Sequence, residues 1–146
     1  MALIDRLELQ GGLTHGGDNA FYAPSRDVIT MPAMAAFNSP ENYHATLLHE
    51  ATHATGAKHR LDRLTPAKFA SEEYAYEELV AELGAAMLCA HTGINGQMQS
   101  NHVAYIANWL KVLRNDKKAI LTAAAKAQQA LDYFTMAKPV EEELAA

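Results

Sequence analysis

The chain has 146 residues, 49% of them apolar and 20% charged, with a formal net charge of −5. These values suit one globular domain with its own core, and the acidic balance argues against a domain that coats nucleic acid by itself. A single cysteine, Cys89, excludes an internal disulfide and a cysteine-based zinc cluster, and no apolar run is long enough for a membrane span or a signal peptide, so a cytoplasmic protein is expected.

In chain order, Met1 to Asp18 is broken by Gly11-Gly12 and Gly16-Gly17 into loops or short edge pieces. Ala20 to Ala23 and Val28 to Met31 read as short strands. Pro24-Ser25-Arg26-Asp27 between them is turn chemistry, so a β-hairpin is expected, ending at Pro32. A helix over about 40–55 follows: Ser39 caps it, Pro40 suits its first position, Glu41 adds negative charge to its first turn, and Gly56 offers a left-handed stop. Tyr43, Leu47, Ala51 and Ala54 would form its core stripe. The next connection holds Lys58, His59, Arg60, Arg63 and Pro66; its basic residues, like Lys111, Arg114, Lys117 and Lys118 later, read as solvated.

Ser71 caps a second helix over about 72–91, and Gly93 ends it. Its second half, Leu79 to Cys89, is nearly all apolar and should be buried on most sides. A loop rich in Gly and Gln leads to a third helix, about 101–114, with Val103, Ile106, Leu110 and Leu113 inward. A fourth, about 116–136, turns Ile120, Ala124, Ala127, Leu131 and Phe134 inward. Pro139 and Glu141-Glu142-Glu143 mark an acidic flexible tail over 137–146, which leaves 1–136 as the domain. The pattern is α+β, with a small N-terminal hairpin or sheet packed on the first long helix and three further helices.

Chemistry concentrates in His49-Glu50-Ala51-Thr52-His53, an HExxH motif on that first helix. Random placement gives roughly 0.02 such matches in a chain of this composition, so chance is a poor explanation. His49 and His53, four residues apart, share a face and can chelate one metal ion. Glu50 sits about 100° around the helix from His49, where it can take a proton from a metal-activated water without being a ligand itself. Zinc in a hydrolytic site takes three protein ligands and keeps one position for water, so a third ligand is needed.

Two candidates stand in the sequence. His59 completes His49-Glu50-x-x-His53-x-x-Gly56-x-x-His59, the spacing of metzincin proteases, although Met98 does not sit in surroundings resembling their methionine turn. Glu78, on the second helix, would complete a gluzincin-like site, with Glu82 four residues later bonded to a ligand histidine. Glu78 is favoured because a carboxylate inside an apolar helix needs an ion or a partner, and because of a family resemblance; His59 remains the alternative. An ion pair from Glu78 or Glu82 to Arg60 or Arg63 is the non-metal reading. Tyr74, Tyr76 and Tyr105 are candidates for oxyanion stabilisation, with core packing as the plainer role. His15, His44, His91 and His102 read as surface or helix-end residues, and Cys89 as inert.

The resemblance runs from about Gly12 to Phe134. It rests on Ala20-Phe21-Tyr22-Ala23-Pro24, Asp27-Val28-Ile29-Thr30-Met31-Pro32, Leu48-His49-Glu50 through Gly56, Arg60-Leu61, Tyr74-Ala75, Glu77 through Leu83, Tyr105 and Trp109-Leu110. These stretches resemble the zincin-like metallopeptidase domain of plasmid and phage polyvalent proteins, known from ArdC-type antirestriction proteins. Ala54 departs from it, since the family commonly has Trp after the second histidine. The resemblance implies a zincin-like fold, a single Zn2+ or another divalent ion such as Mn2+, and hydrolysis of a peptide or protein substrate. It also implies a strand edge lining the cleft, for which Val28 to Met31 is the expected segment. Family members often carry a separate N-terminal domain that binds single-stranded DNA. Any DNA role is therefore expected to come from a partner domain or protein, without direct nucleic-acid binding by this domain. A metal-holding module that blocks a host restriction protein without catalysis is the alternative.

Overall fold

The computed structural model describes residues 2–66, 71–95 and 102–136, with the side chains of 102–108 left aside. Met98, the side chains of His102, Val103, Tyr105 and Ile106, and the acidic tail over 137–146 lie outside the described residues.

A short helix, α1 (Ala2–Asp5), precedes three strands, β1 (Gly12–His15), β2 (Phe21–Ala23) and β3 (Val28–Met31). Four longer helices follow: α2 (Pro40–Thr55), α3 (Glu72–Thr92), α4 (His102–Asn115) and α5 (Ala119–Thr135). The architecture is α+β, as expected.

The hairpin forms where turn chemistry places it. β2 and β3 pair antiparallel, with Ala23 opposite Val28 and Phe21 opposite Thr30. The glycine-rich start adds a third strand, because β1 pairs parallel to β3, Gly12 against Val28 and His15 against Met31. The sheet order is therefore β1-β3-β2. This corrects the expectation that Val28 to Met31 is the edge: it is the central strand, with Val28, Ile29 and Met31 buried. The exposed edge next to the hairpin turn is β2.

Helix α2 begins as its sequence dictates, with Ser39 Oγ accepting from the Asn42 amide at 3.1 Å and Pro40 leading the first turn. It is buried on nearly every side: Ala45, Leu48, Thr52, His49 and Glu50 are inside along with Tyr43, Leu47, Ala51 and Ala54. On the chemical face His49 and Glu50 are buried too, while His53 is partly exposed. Gly56 does not stop the helix in a left-handed conformation, since its φ is −80°. Its role is close approach, because a Cβ there would lie 2.9 Å from the Arg63 guanidinium. Gly93 does adopt the left-handed conformation at the end of α3, with φ 74°.

Helix α3 packs against both α2 and α5. Where α2 and α3 meet, Gly84 is so close to Thr52 that a Cβ would fall 2.5 Å from its methyl group. On α5 the inward residues are Ala119, Ala123, Ala127, Ala130 and Phe134. Ile120, expected inward, is 40% exposed, and so is Leu110 of α4 at 48%. The register of the first half of α5 is shifted because small side chains let its backbone approach α3, which leaves the bulkier Ile120 and Leu121 outside. Ala86 of α3 is likewise exposed, so the apolar half of that helix is not enclosed all round. Among the described residues, no helix is long and apolar enough to cross a membrane.

Candidate metal centre

The motif helix and α3 cross so that one turn of each faces the other. His49 and His53 stand one helical turn apart, with ring centroids 4.9 Å apart and planes at 82°. From α3, Glu78 reaches both: Oε2 lies 3.2 Å from His49 Nε2, and Oε1 lies 3.1 Å from His53 Nε2. The three side chains offer donor atoms that all fall within 4.8 Å of one another. An ion bound tetrahedrally at about 2.0–2.1 Å holds its donors about 3.3 Å apart, and the two His–Glu78 separations are close to that. Two imidazole nitrogens and a carboxylate are also a donor set suited to zinc or manganese. The residues present therefore fit a divalent cation.

A second layer fixes the imidazoles. His53 Nδ1 lies 3.1 Å from Glu77 Oε1. Glu77 in turn receives two bonds from Arg63, Nε to Oε2 at 2.8 Å and NH2 to Oε1 at 2.9 Å. His49 Nδ1 lies 3.4 Å from Glu82 Oε1, close enough for charge attraction but not aligned as a hydrogen bond. Glu82 thus stands beside the ligand-face histidine that the sequence pairs it with. Burial opposes charge on His53, yet hydrogen bonds to Glu77 and Glu78 and the nearby Glu50 carboxylate outweigh it and push its pKa up to about 10. Burial would raise Glu78, but its contacts with His49 and His53 hold it well below the usual carboxylate range. Glu77 is lowered in the same way against its burial, by His53 and Arg63.

These groups open into a cleft of about 910 Å³. Glu50 lines it, buried beside the histidines. β2 forms one wall through Phe21 and Tyr22, and the start of α3 and the α4–α5 turn form the other. Tyr74 and Tyr76 also line the cleft, and the Tyr76 hydroxyl is buried with no hydrogen-bond partner among the described residues.

His59, the alternative third ligand, is not brought to this cluster. Its ring is half exposed, 3.5 Å from Asp27. Asp27 belongs to a separate network: Arg60 donates to both of its oxygens at 2.8 Å and Tyr22 donates to Oδ1 at 2.7 Å. Arg60 and Arg63 are accordingly buried, contrary to the solvated reading of their basic cluster. Their side chains are 1% and 6% exposed, and neither pairs with Glu78 or Glu82 in the contacts observed. His15, read as a surface histidine, bonds the Tyr43 hydroxyl at 2.7 Å. His91 is exposed in the last turn of α3. Sequence reasoning missed Glu77 and Arg63. The available signal was three glutamates on one helix facing two histidines, with a glycine at the end of α2 admitting an arginine.

The sequence profile of the zincin-like metallopeptidase family matches residues 4–126. The chain belongs to that family. Zincin relatives include protein y4eC of Sinorhizobium fredii, 49% identical over 84% of this chain and 40% of that protein. A DNA primase TraC of Escherichia coli is 43% identical over 83% of this chain but only 8% of its own length. The chain thus spans less than half of the curated relatives it matches. Among solved structures, the Mn(II)-bound antirestriction protein ArdC of plasmid R388 superposes with a TM-score of 0.78 at 40% identity, covering 90% of this chain and 50% of that one. Its metal-free form also gives 0.78 at 40% identity, over 91% of this chain and 47% of that one. The zincin-like metallopeptidase family and its fold are therefore established for this chain.

Proposed function

We propose that this zincin domain is a metal-dependent peptidase of the gluzincin type. The observation that carries the reading is the convergence of His49 Nε2 and His53 Nε2 on the two oxygens of Glu78, beside Glu50 in an open cleft. We assign His49, His53 and Glu78 as ligands of a divalent cation, Glu50 as general base, and Glu82 as a positioning residue for His49. A divalent cation held by His49, His53 and Glu78 would supply Lewis acidity and would lower the pKa of a water beside it toward about 7. Glu50, beside that position, would accept the proton of the attacking water and pass it to the leaving amine. Burial of Glu50 keeps bulk water from competing for that proton. β2 offers an edge along which an extended peptide can add as a strand.

The cleft's charge fits a polypeptide better than a nucleic acid. Asp18, Glu72, Glu73 and Asp116 line it, and Arg63, its one Lys or Arg among the described residues, is bound to Glu77. A nucleic-acid partner belongs to another domain or protein. By its likeness to ArdC, the domain acts in plasmid-linked antirestriction on a protein of the recipient cell, in the cytoplasm.

Glu50→Gln keeps size and polarity but cannot accept the proton. We expect it to bind Mn2+ or Zn2+ within twofold of the parent and to lose peptide hydrolysis by at least about 100-fold. Equal hydrolysis by parent and variant rejects Glu50 as the base. The R388 relative is named for antirestriction, which supports a second reading: a metal-holding module that blocks a restriction protein by binding. An E50Q chain that protects incoming DNA as fully as the parent selects that reading.

A further inference from the structure

Glu77 and Glu78 are neighbours on one helix, both largely buried, and both reach His53, Glu77 at Nδ1 and Glu78 at Nε2. Either carboxylate could in principle take the ligand position, and the choice needs a physical cause. That cause lies in Arg63. Its guanidinium occupies both oxygens of Glu77 and reaches on to the Thr52 carbonyl at 2.8 Å, so Glu77 is clamped against the end of α2. With its charge answered there, Glu77 has one remaining task, accepting from His53 Nδ1 at 3.1 Å. With Nδ1–H held on Glu77, Nε2, which faces Glu78, is the nitrogen left to exchange its proton for an ion. Glu78, with no arginine on it in the contacts observed, is left for the ion.

The backbone is shaped to admit this clamp. The Arg63 and Leu64 amides both bond the Gly56 carbonyl at 2.9 Å, which folds the loop back over the end of α2. Gly56 has no Cβ where one would lie 2.9 Å from Arg63 NH2 and 3.0 Å from its central carbon. The glycine three residues after the motif therefore serves the arginine, and not a turn toward His59.

We infer that Arg63 and Glu77 are positioning residues that divide two adjacent glutamates into a clamp and a ligand, and thereby fix the His53 tautomer for metal binding. The inference rests on the proposed metal centre. The test is titration of metal-free protein with Mn2+ and Zn2+ against a competing chelator, for the parent, R63M, R63K, G56A and E77A, alongside thermal melting without metal. R63M and E77A should bind ten- to hundredfold more weakly. R63K should stay weak, because an ammonium cannot make the paired bonds. G56A should fall between R63M and the parent while retaining the guanidinium. In zinc-loaded parent the His53 Nδ1–H proton should give a slowly exchanging NMR signal that R63M and E77A lose.

If any of these variants melts like the parent without metal and yet binds both ions within twofold of it, keeping the Nδ1–H signal, the inference is overturned. Should R63M fail to fold, R63K and G56A carry the same comparison. A parent that binds neither ion sinks the metal centre itself, which separates the two failures.

Discussion

A single imidazole shows how the centre depends on solution conditions. His53 holds its proton strongly in the metal-free protein, with a pKa up to about 10, because burial is outweighed by Glu77, Glu78 and Glu50. A metal ion and that proton compete for Nε2, so an ion binding at neutral pH must displace it. The sign follows: His53 is protonated throughout the neutral range, and each unit of falling pH should weaken metal binding by about tenfold for this one displaced proton. Calorimetry in buffers of different ionisation enthalpy, at pH 6 to 8, should show close to one proton released per ion bound. Zero release, with affinity flat across that range, would mean that His53 is already neutral or is not a ligand. The same residue explains why its partner escaped the sequence. Glu77, Glu78 and Glu82 all fall within two turns of α3, and helical spacing alone does not tell which oxygen meets which nitrogen.

That assignment is made by the crossing of two helices. Gly84 sits against Thr52, the residue before His53, at a separation that leaves no room for a methyl group. Gly84→Ala would raise the helix propensity of α3 by about 1 kcal/mol. Overpacking typically costs about 1–3 kcal/mol, and the contact atoms belong to a Thr side chain that is fully buried and bonded to the Leu48 carbonyl at 2.8 Å. The strain should win. We expect G84A to melt lower than the parent and to bind metal more weakly, because α3 must move away from α2 and take Glu78 with it. A variant at least as stable as the parent, with unchanged metal affinity, would show that the crossing has slack. Local signals made the ends of α2 and α3 readable, since Ser39, Pro40, Ser71 and Gly93 act on their own turns. The sheet order was not readable, because β1, which pairs parallel to β3, lies in a glycine-rich stretch with no local strand pattern. The α5 register was misread for a related reason: alanines occupy both of its faces, and only the closeness of α3 decides which are buried.

Across the whole molecule, the element that ties the N-terminus to the motif helix is the ion pair of Asp27 and Arg60. Arg60 bonds both Asp27 oxygens and also the carbonyls of Leu7 and Ala54, at 2.7 and 3.1 Å for the closest contacts. Asp27 also accepts from the Gln10 amide at 3.0 Å and from Tyr22, whose pKa is pushed up to about 12 first by burial and then by this bond. One buried guanidinium therefore joins the segment after α1, the hairpin turn and the end of α2, and through Asp27 the cleft-lining strand β2. Burial alone would raise Asp27, but Arg60, the Gln10 amide and Tyr22 hold it well below its ordinary value of 3.8. A carboxylate lowered on folding contributes stability that is complete above the unfolded value and fades as pH falls through the folded one. Asp27→Asn leaves the Arg60 charge buried with only carbonyl partners, at a cost of about 3 kcal/mol at pH 7. Urea unfolding should show that deficit undiminished from pH 7 down to about 4, and then narrowing as acid protonates Asp27 in the parent. A gap that persists unchanged at pH 2 would assign the loss to packing around Asn and not to the charge. The latch lies apart from His49, His53 and Glu78, so D27N that remains folded should still bind metal, with the cleft wall at Tyr22 loosened.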